Sequence, residues 1–149
     1  MNAAKLTKYG LVPVATCWIA DRKLKIEFTD LEAVKLEECI YAFLIDDKVY
    51  RVGSSKAPLE KRLKNYMRDI TRALNKEKSP APDDEAEKWR KILPAGTSGT
   101  IYARPGTWVT TSPLEPFRAY MDEESKMIGE IFSDRDLTPE EILNRNKHR

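Results

Sequence analysis

Early in the chain, apolar and polar positions alternate with period two. In "KLKIEF", Leu24, Ile26 and Phe28 fall on one face and Lys23, Lys25 and Glu27 on the other, the pattern of a half-buried strand. The apolar run "VPVATCWIA" precedes it, and together they predict a pair of N-terminal strands within residues 1–36. "ECIYAFLI" and "KVYRVG" are two further strand-like runs separated by Asp46-Asp47, which predicts a β-hairpin. Strand alternation puts Tyr50 on the face opposite Arg51, where it reads as a core residue. Gly53 is expected to make a close turn into the element that follows.

The period then changes. Across "SSKAPLEKRLKNYMRDITRALNKEK", Leu59, Leu63, Tyr66, Ile70 and Leu74 recur at helical spacing and form a narrow apolar stripe. Ser54 or Ser55 is a candidate cap, and Pro58 suits the first turn. "SPAPDD" breaks the chain, and "DDEAEKWRKIL" reads as a short helix with acidic residues at its positive end. "PAGTSG" reads as a loop. "TIYARPGTWVTT" reads as one or two strands interrupted at Pro105-Gly106.

"SPLEPFRAYMDEESKMIGEIF" predicts a second long helix over 112–132, with Leu114, Phe117, Met121, Ile128 and Ile131 on its apolar stripe. The place between Met121 and Ile128 on that stripe is taken by Glu124. A carboxylate at a core-facing position is costly unless it is paired or binds a metal. "TPEEILNRN" opens with Thr138 and Glu141 in capping-box spacing, which predicts a short terminal helix. The pattern as a whole predicts an α/β (α+β) fold: a small, mostly antiparallel central sheet flanked by helices.

Length and charge sharpen this picture. At 149 residues the chain reads as one domain, with a core over 37–134 and a short helix and tail over 135–149. The net charge of +2 hides a strong asymmetry. Residues 48–78 carry ten Lys/Arg against three Asp/Glu, a local net of +7, which leaves −5 for the rest. A concentrated positive field suits a polyanionic partner. The single histidine, His148, is the penultimate residue, so the sequence offers no histidine-based triad or zinc site. Cys17 and Cys39 lie in apolar surroundings and read as reduced, buried thiols. No segment approaches the roughly 20 apolar residues of a membrane span, so a cytoplasmic location is expected.

The order of these features carries more than any one of them. A strand with Tyr41, a turn, a strand ending at Gly53, a basic helix with Arg62 and a late helix with Glu124 resembles the GIY-YIG nuclease family. Cys39-Ile40-Tyr41 stands at the first motif, and Arg51-Val52-Gly53 with Ser54-Ser55-Lys56 at the second. "PLEKRLKNY" looks like the family's basic helix, with Arg62 in the place of its catalytic arginine. Tyr66 stands where members carry histidine or tyrosine, and Glu124 where they carry a metal-binding glutamate. The resemblance spans roughly residues 38 to 133. Two positions depart from the pattern: Cys39 replaces the first glycine, and Arg51 stands where the second motif has tyrosine. Some relatives similarly read Tyr-Lys/Arg-apolar-Gly at this point. The N-terminal strands and the segment before the glutamate look like small phage-type endonucleases, and larger restriction enzymes share the core.

The resemblance implies a divalent-metal-dependent DNA endonuclease with a GIY-YIG-like catalytic core. Tyr41 would orient or deprotonate the attacking water. A phenol of pKa about 10 needs a nearby cation for that, which Arg51 and Lys56 could supply. Arg62 suits a clamp on the scissile phosphate, with Tyr66 one helical turn on. Glu124 would hold one Mg²⁺, or Mn²⁺. Lys61, Lys64, Arg68 and Arg72 are candidates for contacts to the nucleic-acid backbone. A homo-oligomer is a possible arrangement. The alternative is a catalytically inactive nucleic-acid-binding or regulatory module on the same scaffold. Arg51 either replaces a catalytic tyrosine with a phosphate-facing cation or marks a site that no longer cuts.

Overall fold

The computed structural model describes residues 1–77, 83–106, 108–112, 115–118 and 127, without the side chains of 83–84, 108–112 and 115–118. Five strands form one antiparallel sheet: β1 (Val12–Ala20), β2 (Lys23–Phe28), β3 (Cys39–Ile45), β4 (Lys48–Ser55) and β5 (Ser98–Pro105), in the order β2-β1-β5-β3-β4. The fold is α+β, as the alternation predicts. β3 lies between β5 and β4, and its residues are buried along almost the whole strand. Asp46 and Asp47 both take positive φ, 50° and 59°, the backbone of a tight two-residue hairpin turn.

A register shift separates the pairs Phe43–Arg51 and Leu44–Val49, so Tyr50 is an extra residue in β4. Tyr50 is buried, as expected, but it sits at a bulge rather than in simple alternation with Arg51. On the other side of the bulge, Tyr41 pairs with Gly53 and Phe43 with Arg51. Directly opposed residues share a face, so Tyr41, Phe43 and Arg51 project to one side of the sheet. Gly53 lies within β4, not in a turn.

The helix α1 (Ala3–Lys8) precedes the sheet and was not evident from the apolar pattern. Asn2 caps it, and its first turn is tied to the β3–β4 hairpin: Ala3 N–H donates to Asp47 Oδ1 at 3.0 Å. The long helix α2 (Leu59–Leu74) begins later than the serines suggest. Pro58 is its N-cap and gives no side-chain bond, while Ser55 Oγ donates to the Ala57 carbonyl at 2.8 Å. The first helical N–H, from Leu59, instead donates to the Leu36 carbonyl at 2.8 Å.

At its far end α2 is tied to the opposite edge of the sheet. Leu24 N–H donates to Thr71 Oγ1 at 3.1 Å, and Asn75 Nδ2 donates to the Arg22 carbonyl at 2.9 Å. The dimensions agree. Sixteen helical residues rise about 24 Å, and four strand spacings cover about 19 Å, so α2 spans the sheet from β4 to β2.

The helix α3 (Asp83–Ile92) follows, with Ala86, Trp89 and Ile92 buried. Beyond β5 the long helix expected from residue 112 does not begin there. Glu115–Arg118 is a strand, β7, paired antiparallel with β6 (Trp108–Ser112). Pro116 explains the difference: it lacks an N–H and drives the preceding residue into extended backbone. Met127 is helical and buried. The rest of that expected helix, Glu124 included, and the terminal helix over 138–146 lie outside the described residues. No helix among the described residues is long and apolar enough to cross a membrane.

Cys17 and Cys39 are free and buried. Burial pushes their thiols up to about 12 and about 11, so the nucleophilic thiolate is suppressed. Neither is expected to react with an aromatic disulfide reagent at about pH 8 while the chain is folded, and both should react in urea. Rapid labelling of the native protein would contradict this packing.

Candidate active site

α2 lies across the sheet face that carries Tyr41, Phe43 and Arg51, and two of its residues complete a cluster with them. The Tyr41 and Tyr66 hydroxyls are 2.8 Å apart, and Arg62 Nε donates to Tyr41 Oη at 3.1 Å. The Arg51 guanidinium stands 5.0 Å from the centroid of the Tyr66 ring, and that of Arg62 stands 5.5 Å from it. Each is within the range of a cation–π contact. Edge-on packing of Phe43 against both Tyr41 and Tyr66 fixes the rings below. Four of the residues singled out in the sequence, Tyr41, Arg51, Arg62 and Tyr66, therefore meet in one place.

The phenol of Tyr41 is fully buried. Burial, reinforced by Tyr66, holds its pKa well above the ordinary tyrosine range, against the opposing fields of Arg51 and Arg62. In this state Tyr41 is a neutral hydroxyl fixed by two partners. Both arginines are held firmly in their charged form. For Arg62 the proximity of Tyr41 is the largest cause; for Arg51 burial opposes the charge, and Tyr66, Tyr41 and Glu85 more than offset it.

Glu85 was not singled out by the sequence reading. It sits on α3, 4% exposed, and its Oε1 accepts from Arg51 Nη1 at 3.3 Å. A signal for it exists: Glu85, Trp89, Ile92 and Leu93 follow helical spacing, so the carboxylate occupies a stripe position. The acidic start of "DDEAEKW" disguised it as an ordinary helix terminus.

Lys56 is exposed beyond the end of β4, and no described side-chain contact joins it to the cluster. Lys61, Lys64, Arg68 and Arg72 are all exposed on α2. At about 100° per residue they share one narrow stripe, opposite Leu63 and Ile70. Lys64 is paired with Glu60 at 2.8 Å and Arg68 with Asp69 at 3.0 Å. Arg62 and Tyr66 lie on the flank between the exposed stripe and the core.

The described cluster thus offers two guanidiniums, two phenols and one carboxylate that is already paired with Arg51. This donor set suits an anion. It does not by itself suit a divalent cation, and no group of three or more potential metal ligands occurs among the described residues. The candidate metal ligand, Glu124, lies outside them.

No family model matches the chain, and no curated protein matches its sequence significantly. Solved structures do match. One is bacteriophage T4 EndoII in a mutant form, with a TM-score of 0.58 and 20% identity over 91% of this chain and 97% of that one. Another is the restriction endonuclease HPY188I in complex with product DNA, with a TM-score of 0.50 and 16% identity over 93% of this chain and 84% of that one. At these identities the likeness is one of fold. The antiparallel sheet with its helices is an architecture that these two proteins share.

Proposed function

We propose that this protein is a divalent-metal-dependent DNA endonuclease with a GIY-YIG-like site. The observation that carries the reading is the cluster in which Arg62 and Tyr66 converge on the Tyr41 hydroxyl, with Arg51 beside them. Likeness in fold to a phage EndoII and to a restriction endonuclease seen with product DNA supports it.

Phosphodiester hydrolysis needs a placed water, charge relief on the phosphate and stabilisation of the leaving oxygen. Arg62 is half-buried, so its guanidinium can hold Tyr41 through Nε and offer the remaining N–H groups to a phosphate. Tyr41 would orient the water through its hydroxyl. Arg51 and Arg62 are the charges that favour its ionisation once a water and a phosphate share the site. Tyr66 holds Tyr41 and accepts both cations on its ring. Lys56 and the stripe of Lys61, Lys64, Arg68 and Arg72 would follow the DNA backbone without reading its sequence. Glu124 would hold Mg²⁺ or Mn²⁺, whose Lewis acidity would favour departure of the leaving oxygen. One such site cuts one strand, so double-strand cleavage calls for two copies or successive nicks.

Conversion of supercoiled plasmid to nicked circles tests this directly. Wild type with Mg²⁺ should nick, while Glu124→Ala and Tyr41→Phe should each lose about 100-fold or more. If wild type leaves DNA intact with both Mg²⁺ and Mn²⁺, the enzyme reading fails. The second reading, a binding module that does not cut, is favoured by the complete burial of the neutral Tyr41 phenol. Salt-sensitive DNA binding without nicking would establish it.

A further inference from the structure

Glu85 is the one charged residue that is buried as a whole among the described residues. Glu85 reaches Arg51 Nη1 at 3.3 Å, with 13% of the arginine side chain and 5% of the glutamate side chain exposed. A buried ion pair is weak evidence for stability, because well-packed apolar residues stabilise a core equally well. What apolar residues cannot do is aim a guanidinium. Arg51 ends 5.0 Å from the Tyr66 ring, and Tyr66 in turn bonds Tyr41. The helix that carries Glu85 is itself located by the core: Trp89, one turn on, is fully buried and packs edge-on against Phe43 at 5.4 Å. Phe43 stands 5.3 Å from Tyr66. Trp89 therefore seats α3 against the aromatic cluster, and Glu85 is presented to Arg51 from that seat.

We propose that Glu85 is a positioning residue: from α3 it holds the Arg51 guanidinium against the Tyr66 ring, beside the Tyr41 hydroxyl. An arginine side chain is long and rich in rotamers, and Glu85 adds a directional charged partner to the contacts with Tyr66, which leave it more than one way to turn. The carboxylate, a charge-assisted acceptor, selects one of them. Glu85 acts through Arg51 and does not itself touch substrate. Its catalytic meaning rests on the endonuclease reading; the geometric claim does not.

The test is a nitrogen-15 spectrum of the arginine Nε–Hε groups, run alongside plasmid nicking. In wild type the Arg51 signal should be displaced by the Tyr66 ring, and R51K, which deletes it, makes the assignment. E85A and E85L should lose that displacement, while E85Q, which keeps an acceptor within the same reach, should retain it. In nicking, E85A and E85L should lower kcat about 10-fold with KM within about 2-fold, and E85Q should recover most of the loss. An Arg51 signal that stays displaced in folded E85A or E85L overturns the proposal, as does a rise in KM at unchanged kcat. If neither variant folds, E85Q decides: Arg51 Hε should exchange with solvent faster opposite a neutral partner, and unchanged exchange overturns the proposal. Wild type that does not nick at all sinks the endonuclease reading, and the Arg51 signal still decides where Glu85 holds it.

Discussion

Replacing Arg62 by alanine is expected to reduce single-turnover nicking about 10²–10³-fold, the cost of losing one preorganised donor at a developing charge. Arg62→Lys should recover little. Lysine carries the charge but cannot donate through Nε to Tyr41 Oη while offering further N–H groups to a phosphate. Stability should change far less than activity. Arg62 is half-exposed, and Tyr41 retains its bond to Tyr66 when the arginine is removed. The check is a pair of measurements on the same preparations: nicking rate with excess protein, and thermal unfolding. A fall in rate that tracks a fall in melting temperature would make Arg62 a structural residue. DNA binding at fixed salt should weaken only modestly, because the exposed lysines and arginines of α2 are untouched. Nicking by Arg62→Ala at the wild-type rate would remove Arg62 from the proposed site.

The hairpin and α2 were legible because their signals are local. The apolar runs "ECIYAFLI" and "KVYRVG" on either side of Asp46-Asp47 mark two strands and a turn, and Leu59, Leu63, Tyr66, Ile70 and Leu74 mark one helix face. That Tyr41, Arg51, Arg62 and Tyr66 meet was legible only through the family resemblance, because periodicity does not say which helix face lies over which strand. Tertiary partners were not legible. The first N–H of α2 is satisfied by Leu36 rather than by a serine, because a carbonyl from a distant loop happens to reach it. Glu85 lies 34 positions from Arg51, and nothing local in an acidic helix start indicates that one carboxylate turns inward. At Glu115–Arg118 an apolar stripe at helical spacing was outweighed by Pro116 and by pairing with β6. The bulge at Tyr50 is likewise a property of two strands together and is invisible in either alone.

Gly53→Ala should be among the most damaging single-methyl changes in the protein. Glycine in a strand interior is normally a weakness, and alanine there should gain about 0.5–1 kcal/mol. Here the sign reverses. A Cβ at Gly53 would lie 2.4 Å from Tyr41 Cζ and Oη and 2.9 Å from Cε2, far inside contact distance. The atoms in the way are not the free end of a flexible chain. Tyr41 is fully buried, packed edge-on against Phe43 and Tyr66, and bonded at its hydroxyl to Tyr66 and Arg62. Making room costs about 1–3 kcal/mol of overpacking and about 1 kcal/mol for each displaced hydrogen bond. A net loss of about 3 kcal/mol lowers the melting temperature by about 6–12 °C in a chain of this size. The same movement withdraws Tyr41 from Arg62, so nicking should fall more than the loss of folded protein explains. Truncating the ring should relieve the clash: Gly53→Ala combined with Tyr41→Leu should cost less than the sum of the two single changes. Urea unfolding of the four proteins measures that coupling. A Gly53→Ala variant as stable as wild type, or strict additivity with Tyr41→Leu, would show that the Tyr41 ring does not lie over Gly53.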